Sequence, residues 1–477
     1  MPIIKADLEA CQGYANCVVG ADDYFDIDDD GVVVVLKAIV PEARPRPGRR
    51  SRPQLSRFRT AHGERVSPTT VIVGSSIGGV RTAQALRSEG YGGEVILVGQ
   101  ETALPYDKPP LSKALLAGRS DVEAVTLLTQ EAAEAAGIQL LLGHRALRLD
   151  VAEGMLELQG HGSLSFDDVV IATGVRARPS PWGERPGIHV LRTLEDAQGL
   201  RADLLEGGHL VVVGAGFIGA EVASTARLLG LEVTIVDPLP VPMSRVLNAE
   251  IGEWFVDLHR RHGVRTLFGV GVEGIDGERG LLQVKLTDGT VLDAATVLVG
   301  IGAQPNDEWL KSSGLIIDDG VVCDQHCRAV DAPRVHAVGD VARWFHPGHG
   351  TDQRVEHWTN AVDQAVCVAH NIAHPDDLRS YAPVEYVWSD QHDWKIQVTG
   401  RAGGISTHVL VGNPADDNKF AALYTDDGQR LSGAAIVNWP RALIECRRAL
   451  QVGGSLADVR AKVEAQLTAP RNTAVTP

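Results

Sequence analysis

The segment LVVVGAGFIGAEVASTA, residues 210–226, contains the pattern that decides the fold of this chain. An apolar, β-branched run leads into Gly214, Gly216 and Gly219, and a helix-like stretch containing Glu221 follows. This strand–turn–helix order is typical of a dinucleotide-binding unit, because the glycines let the backbone approach a pyrophosphate at the amino end of a helix. The pattern therefore predicts a nucleotide-binding domain.

A second copy of the pattern lies upstream in VIVGSSIGGVRTAQAL, residues 71–86. Gly74, Ser76 and Gly79 occupy its three glycine positions, so a serine replaces the second glycine. One such motif is a weak signal, and a strand–turn–helix without a ligand is the alternative at this position. Two motifs in one chain predict two nucleotide cofactors bound face to face, the usual arrangement for hydride transfer from a nicotinamide to a flavin.

Strands and helices alternate from Thr69 onward, which indicates parallel sheets. We therefore predict an α/β fold with two Rossmann-like dinucleotide-binding domains, for FAD and NAD, and a C-terminal α+β interface domain. The predicted boundaries are an FAD-binding domain at 69–180 and 303–382, an NAD-binding domain at 181–302, an interface domain at 383–460 and a flexible tail at 461–477.

The composition excludes several classes of protein. The chain has 477 residues, 44% of them hydrophobic, and a formal net charge of −16 at pH 7. The acidic balance disfavours nucleic-acid binding, and no apolar run is long enough to span a bilayer. The N-terminal sequence MPIIKADLEA differs from the charged-then-apolar layout of a signal peptide, so a cytoplasmic protein is expected.

The segment LPYDKPPLSKALLAG, residues 104–118, is the most specific part of a resemblance to a known family. With VIATGVRARP, VGIGAQPN, VHAVGDVA and RVEHWTNAVDQA, it resembles the FAD-dependent ferredoxin and rubredoxin reductases that serve cytochromes P450 and aromatic-ring dioxygenases. The family has arginine where this chain has Lys108. The resemblance covers about residues 69–450 and implies an iron–sulfur ferredoxin as the partner, with a P450 or another oxygenase downstream.

The flavin site is expected from both chemistry and resemblance. A flavin needs a nearby cation and a flat apolar neighbour, which Lys113 and Trp358 supply, although singly they could be a surface lysine and a core aromatic. The resemblance implies that Asp340 hydrogen-bonds the ribityl chain. Glu101, late after the second strand, is the expected ribose partner. Further expected FAD contacts are Lys108, Ala172, Thr173, Gly174, Gly302 and Gly339.

The nicotinamide site is expected at the second motif. Asp237 ends the following strand, where a carboxylate accepts from the 2′-hydroxyl of NADH and repels the 2′-phosphate of NADPH. NADH is therefore the expected cofactor, and Arg245, a candidate partner for a 2′-phosphate, keeps NADPH open. The resemblance implies that Glu221 reaches the flavin and pairs with Lys113, so that Lys113, Glu221 and Trp358 are the expected catalytic residues.

The cysteines argue against a disulfide-reductase mechanism. Between Cys17 and Cys323 the sequence has no cysteine, so neither nucleotide motif carries a redox-active pair. Cys323 and Cys327 are expected to be structural, and Cys367 and Cys446 to lie in the core. Electrons are therefore expected to pass from the flavin to an outside acceptor, a ferredoxin in the leading hypothesis. The alternatives are a small acceptor such as a quinone, or a flavin-bearing redox sensor without turnover.

The first 40 residues resemble the small ferredoxins of bacterial P450 systems. Cys11 and Cys17 match two cluster ligands of those ferredoxins, but residues 41–68, rich in arginine and proline, contain no third cysteine. An iron–sulfur cluster needs all of its thiolates. Residues 1–40 are therefore predicted to be a degenerate ferredoxin-like segment, followed by a mobile linker, and no metal site is predicted.

Overall fold

The computed structural model of the chain divides into two compact units. One comprises residues 68–396, and the other comprises residues 1–67 together with 397–477. The structure describes residues 6, 18, 24–27, 32–37, 67–243, 247–402, 407–414 and 418–468. Cys11, Cys17 and nearly all of the predicted linker lie outside the described residues, so the predictions made for them stay predictions.

The first glycine motif lies in a five-stranded parallel sheet. Its central strand, Thr69–Val73, is apolar and almost fully buried, as expected for a parallel strand covered on both faces. The helix Ile77–Ser88 begins within the motif and contains Gly79. In spatial order the strands of this sheet are Val335–Ala337, Asp168–Ile171, Thr69–Val73, Glu94–Gly99 and Ile138–Leu142.

The second glycine motif lies in a second five-stranded parallel sheet of the same design. Its central strand is buried and leads through the motif into the helix Phe217–Leu228. In spatial order the strands are Ile188–His189, Thr296–Val299, His209–Val213, Glu232–Asp237 and Val264–Phe268. The predicted fold class, with two Rossmann-like domains, is confirmed.

Each domain also contains a three-stranded antiparallel sheet. In the sequence it comes immediately before Asp168–Ile171 in the first domain and before Thr296–Val299 in the second. The strand Leu281–Leu286 shows the alternation of exposed and buried side chains that is typical of a sheet with one face toward solvent. The six strands are Ala146–Asp150, Met155–Leu158 and Gly162–Ser165 in the first domain, and Val272–Glu278, Leu281–Leu286 and Val291–Ala294 in the second.

The chain crosses between the two domains twice, and the two crossings pair with each other. Val175–Ala177 and Ala303–Pro305 form a short antiparallel ladder. Beside it, Thr173 Oγ1 donates to the carbonyl of Asn306 at 2.8 Å, and the Asn306 side-chain amide donates to the carbonyl of Thr173 at 2.9 Å. This ladder fixes one nucleotide-binding domain against the other.

The remaining elements of this unit surround the two parallel sheets. Their helices and 3₁₀ turns are Pro109–Ser112, Ala114–Ala117, Glu123–Val125, Gln130–Ala135, Leu194–Glu206, Ala249–Arg261, Glu308–Leu310, Gly339–Val341 and Trp358–Ala373. Their strands are Val321–Cys323, Ala342–His346, Thr351–Arg354 and Tyr386–Gln391, with Trp394–Gly400 containing the boundary between the units. None of the described helices is long and apolar enough to cross a membrane.

The second unit contains an antiparallel sheet and two helices. Its strands are Thr407–Asn413, Lys419–Thr425 and Gly433–Val437, and its helices are Pro440–Val452 and Leu456–Thr468. The last helix extends into the segment predicted as a tail, because Val459 and Val463 are buried. A hairpin of Phe25–Ile27 and Val33–Val35 belongs to this unit, where Val18 and Ile27 pack with Ile444.

Candidate functional site

The first glycine of each motif adopts a conformation that only glycine accepts readily. Gly74 has φ +120° and Gly214 has φ +105°, both in the region that side chains avoid. A Cβ at Gly74 would overlap the carbonyl of Ala172, and a Cβ at Gly214 would overlap that of Gly300. In both motifs the strand end is therefore pressed against the backbone that follows a neighbouring strand.

The second position of each motif forms the amino end of a helix. Ser76 and Gly216 are the N-cap residues, both have extended backbones, and the Ser76 side chain makes no capping hydrogen bond. A Cβ at Gly216 would meet no atom within 4 Å. This open space, next to the N–H groups of a first helical turn, fits a pyrophosphate. At the third position, a Cβ on Gly79 or Gly219 would overlap the carbonyl of Gly74 or Gly214.

A buried ion pair joins the two domains. Lys113 Nζ donates to Glu221 Oε2 at 2.6 Å, and the Glu221 side chain is only 3% exposed. Two hydroxyl groups donate to the same carboxylate, from Ser112 to Oε2 at 2.5 Å and from Ser389 to Oε1 at 2.7 Å. Three donors thus compensate the burial of one charge, and the structure brings together Lys113 and Glu221 from motifs about a hundred residues apart.

Local structure sets the position of each partner in this pair. Glu221 lies in the helix Phe217–Leu228, which begins at the glycine motif. Lys113 follows a 3₁₀ turn that begins with Pro109 and Pro110, whose fixed φ angles favour the start of such a turn. Thr225 Oγ1, one turn after Glu221, donates to the carbonyl of Ser112 at 2.8 Å and holds the turn against the helix.

Trp358 lies at the start of the helix Trp358–Ala373. Its indole N–H donates to Asp107 Oδ1 at 2.7 Å, and its ring meets that of Trp388 edge to face, with 5.9 Å between centroids. Burial raises the pKa of Asp107, although the hydrogen bond from Trp358 opposes that shift. The indole is therefore held in one orientation from both sides.

Glu101 and Lys108 meet through Tyr106. The Tyr106 hydroxyl donates to Glu101 Oε2 at 2.7 Å and accepts from Lys108 Nζ at 3.2 Å. Burial, together with the nearby charge of Arg192, lowers the pKa of Lys108 to about 8, against the opposing effect of Glu101. An anionic ligand bound beside this amine would favour its charged form and raise its pKa again.

Asp340 lies in the 3₁₀ turn Gly339–Val341 and forms an ion pair with Arg192, whose Nη2 lies 3.0 Å from Asp340 Oδ2. Arg192 is positioned by the capping box of the helix Leu194–Glu206. The carboxylate of Asp196 accepts from the backbone N–H of Arg192 and also from that of Thr193, the N-cap residue. Gly339, with φ +75°, is anchored by donation of its N–H to Gln364 Oε1.

The other residues expected at FAD lie at the domain crossings. Ala172 is buried against Gly74, while Thr173 and Gly174 lie beside the crossing ladder and bond to Asn306. Gly302, with φ +106°, begins the return crossing. Ala172, Thr173 and Gly174 therefore follow the strand Asp168–Ile171 of the first sheet, and Gly302 leads into the other strand of the ladder between the two crossings.

Asp237 closes the second motif. Its carboxylate accepts from the backbone N–H of Ala215 at 2.7 Å and from that of Leu239 at 2.8 Å. The acid thus holds the glycine loop while staying partly exposed at the strand end where a ribose is expected. Arg245, the alternative partner for a 2′-phosphate, lies outside the described residues.

The four described cysteines are reduced and buried. Burial raises the pKa of Cys323 and Cys327, and raises that of Cys367 to about 11 and that of Cys446 to about 12. Thiols of this kind are poor nucleophiles at neutral pH. Within the described residues, no cysteine therefore supplies disulfide-reductase chemistry.

Several residues of this site were missed by sequence reasoning. Ser112 is part of the quoted PPLSK motif, so its position in the sequence was a usable signal. Ser389, Asp107 and Arg192 contact predicted residues that are 168, 251 and 148 positions away, respectively. Only the folded chain reveals such partners.

Comparison with known proteins identifies the class. Residues 68–365 match the family of pyridine nucleotide-disulphide oxidoreductases, and residues 386–467 match the reductase C-terminal family. The chain belongs to the pyridine nucleotide-disulphide oxidoreductase family, and it is an oxidoreductase. These family matches confirm the resemblance found in the sequence, and so do the similar proteins and solved structures described next.

The curated relatives include a rhodocoxin reductase and the reductase subunit of a dioxygenase system. Rhodocoxin reductase of Rhodococcus erythropolis is 37% identical over 383 residues, which cover 80% of this chain and 88% of that protein. The ferredoxin–NAD(+) reductase subunit of the benzene 1,2-dioxygenase system of Pseudomonas putida is 39% identical over 344 residues, which cover 72% of this chain and 82% of that protein.

Solved structures give the same result. The ferredoxin reductase for the CYP199A2 system of Rhodopseudomonas palustris matches with a TM-score of 0.80 and 33% identity, over 84% of this chain and all of that one. The reductase in the covalent putidaredoxin reductase–putidaredoxin complex matches with a TM-score of 0.76 and 31% identity, over 83% of this chain and 99% of that one.

Proposed function

We propose that this protein is a ferredoxin–NAD(+) reductase that transfers electrons from NADH through FAD to the iron–sulfur ferredoxin of a cytochrome P450 or dioxygenase system. The observation that carries the proposal is the buried Lys113–Glu221 pair, which joins the two nucleotide-binding domains at 2.6 Å. A cation held there by a partner from the other domain suits a reaction in which negative charge arrives between two nucleotides.

We assign FAD to the first parallel sheet and NADH to the second. When bound, FAD supplies the redox chemistry: it can take up a hydride and give up electrons one at a time. Gly74, Ser76 and Gly79 would hold its pyrophosphate, Glu101 its ribose and Asp340 its ribityl chain. The corresponding residues for NADH are Gly214, Gly216, Gly219 and Asp237.

The residues assigned to catalysis act by charge and orientation. The Lys113 ammonium would hold positive charge beside the flavin ring, and Glu221 would fix its position. Trp358, held by Asp107 and Trp388, would cover the ring and exclude water from it. Because the described cysteines are buried and protonated, electrons would leave directly for the partner ferredoxin. The free thiols of the described residues also suit a cytoplasmic location.

Anaerobic reduction tests this proposal. Purified protein should be yellow, NADH should bleach its flavin faster than NADPH does, and the reduced protein should then reduce a cluster-loaded ferredoxin. Turnover with quinones or dyes but not with several such ferredoxins would favour a small acceptor instead. A bound flavin that NADH fails to bleach would favour a redox sensor and overturn the proposal.

A further inference from the structure

Two helices of the first nucleotide-binding domain end beside each other and bring together three potential metal ligands. Glu89 is the C-cap of the helix Ile77–Ser88; His370 lies in the last turn of the helix Trp358–Ala373, and His374 is its C-cap. Their spacing of four residues places both histidines on one face of that helix. The three residues offer two imidazole nitrogens and a carboxylate oxygen, all within 4.8 Å of one another.

The distances in this group match those of a metal's coordination shell. His370 Nδ1 lies 3.2 Å and His374 Nε2 lies 3.0 Å from the same oxygen, Glu89 Oε2. Ligand atoms about 2.0–2.1 Å from a tetrahedral Zn²⁺ are separated by about 3.3 Å. Arg379 approaches the other oxygen, Oε1, at 4.0 Å, and so leaves Oε2 to the histidines.

The hydrogen bonds of His370 add an independent argument. Its Nε2 lies 2.9 Å from the backbone carbonyl of Asp377, so this nitrogen carries the hydrogen. In the neutral ring, Nδ1 then presents a lone pair toward Glu89 Oε2, and two acceptors would face each other in a side chain that is only 4% exposed. Either a proton on Nδ1 or a metal cation between the two atoms removes this conflict, and donation from the second ring nitrogen to a carbonyl is the usual support of a metal-bound histidine.

We propose that Glu89, His370 and His374 bind one divalent transition-metal ion, with Zn²⁺ as the preferred probe because zinc sites in proteins use both imidazole nitrogen and carboxylate oxygen ligands. His374 is 43% exposed, so the fourth coordination position faces solvent and would take a water molecule. The ion would tie together the ends of two helices that pack along each other. This inference does not rest on the proposed function.

A second group, His346, His349 and Glu385, serves as an internal comparison. The Nε2 of His346 lies 3.1 Å from the carbonyl of Pro383, and its Nδ1 accepts from the backbone N–H of His349 at 3.2 Å. Both ring nitrogens of His346 are thus engaged, and it would have to break a hydrogen bond to bind a metal. His349→Gln is therefore a matched control.

The test measures Zn²⁺ binding to the full-length, FAD-loaded protein without a histidine tag, after chelator treatment. Cys11→Ser and Cys17→Ser are introduced into the parent protein, so that these two thiols cannot supply the ligands. Isothermal titration calorimetry should give a stoichiometry of one Zn²⁺ per chain. Excess Zn²⁺ should also raise the midpoint temperature of thermal unfolding. Glu89→Gln and His374→Asn should each weaken binding by about 100-fold or more, whereas His349→Gln should leave it unchanged.

The variants keep the proposal falsifiable because both altered residues are partly exposed, at 25% for Glu89 and 43% for His374. An unchanged flavin content and visible spectrum would show that each variant is folded. The proposal is overturned if the parent protein binds no Zn²⁺, or if Glu89→Gln and His374→Asn bind it as tightly as the parent. A midpoint that responds to pH but not to Zn²⁺ would instead indicate a simple imidazolium–carboxylate pair.

Discussion

Replacing Lys113 by Met and Glu221 by Gln, singly and together, tests whether the buried ion pair acts as a unit. The Glu221 carboxylate accepts from the Lys113 ammonium and from the hydroxyls of Ser112 and Ser389. Lys113→Met leaves the carboxylate with these two neutral donors, whereas Glu221→Gln leaves the ammonium beside a neutral amide. Each single variant therefore loses the charge-assisted hydrogen bond and retains a partly desolvated charge.

The size of the effect follows from that hydrogen bond. A hydrogen bond to a charged group contributes about 1.5–3 kcal/mol. If the whole of it acts in the transition state, each single variant should reduce the flavin about 10- to 150-fold more slowly. Once one partner has been replaced, the hydrogen bond between Lys113 and Glu221 is already lost, so the second substitution should cause little further slowing. The double variant should therefore match the slower single variant, which corresponds to a coupling energy of about 1.5–3 kcal/mol.

The measurement is stopped-flow reduction of the bound flavin at saturating NADH, with each variant adjusted to equal FAD content. The matched control is the ion pair of Lys285 and Asp276, which spans 2.8 Å but is 49% and 62% exposed. A Lys285→Met and Asp276→Asn cycle should leave the reduction rate unchanged, because this exposed pair lies on the antiparallel sheet of the second domain and is assigned to neither cofactor. Additivity within about 0.5 kcal/mol in the Lys113–Glu221 cycle would refute the coupling, as would equal slowing in the control.

The remaining predictions concern the cofactors and the N-terminal segment. Asp237→Asn should lower the ratio of kcat/KM for NADH over that for NADPH, because a neutral amide no longer repels a 2′-phosphate; an unchanged ratio contradicts this. FAD affinity of the apoprotein should fall above pH 8, by up to about tenfold per pH unit, because the pKa of Lys108 is about 8 in the unbound protein and an anionic cofactor favours its charged form. Lys108→Arg should flatten this titration profile, and an unaltered profile would exclude Lys108 as its source. A chain beginning at Ser67 should keep NADH-dependent flavin reduction but show a lower unfolding midpoint, since Ile444 loses its contacts with Val18 and Ile27; equal midpoints would show that these contacts contribute nothing.

The sequence predicted the fold class well because its signals are local. Gly74 and Gly214 have positive φ angles, and a backbone carbonyl lies immediately beside each of them. Only glycine fits readily at these positions, so the sequence itself shows where they are. The apolar runs before them are buried strands of two parallel sheets. The cofactor roles assigned to single residues stay predictions, because they depend on groups beyond the chain itself.

The helix Leu456–Thr468 shows where local reasoning ended too early. In its sequence, LADVRAKVEAQLT, charged or polar residues separate the apolar ones almost throughout, and we predicted a flexible tail from 461 onward. The helix continues because Val459 and Val463 are buried. Packing of this kind supplies most helical stability in proteins, and it is invisible in the composition of the segment.

The sequence by itself determined that two dinucleotide motifs share one chain, that neither carries a cysteine pair, and that Lys113 and Glu221 belong to motifs of different domains. Only the tertiary structure decided which groups meet. It placed Ser389 on Glu221, Arg192 on Asp340, and Glu89 beside His370, a residue 281 positions away. The physical reason is that backbone geometry depends on neighbours in sequence, whereas these side-chain contacts depend on how the sheets, helices and crossings pack in space.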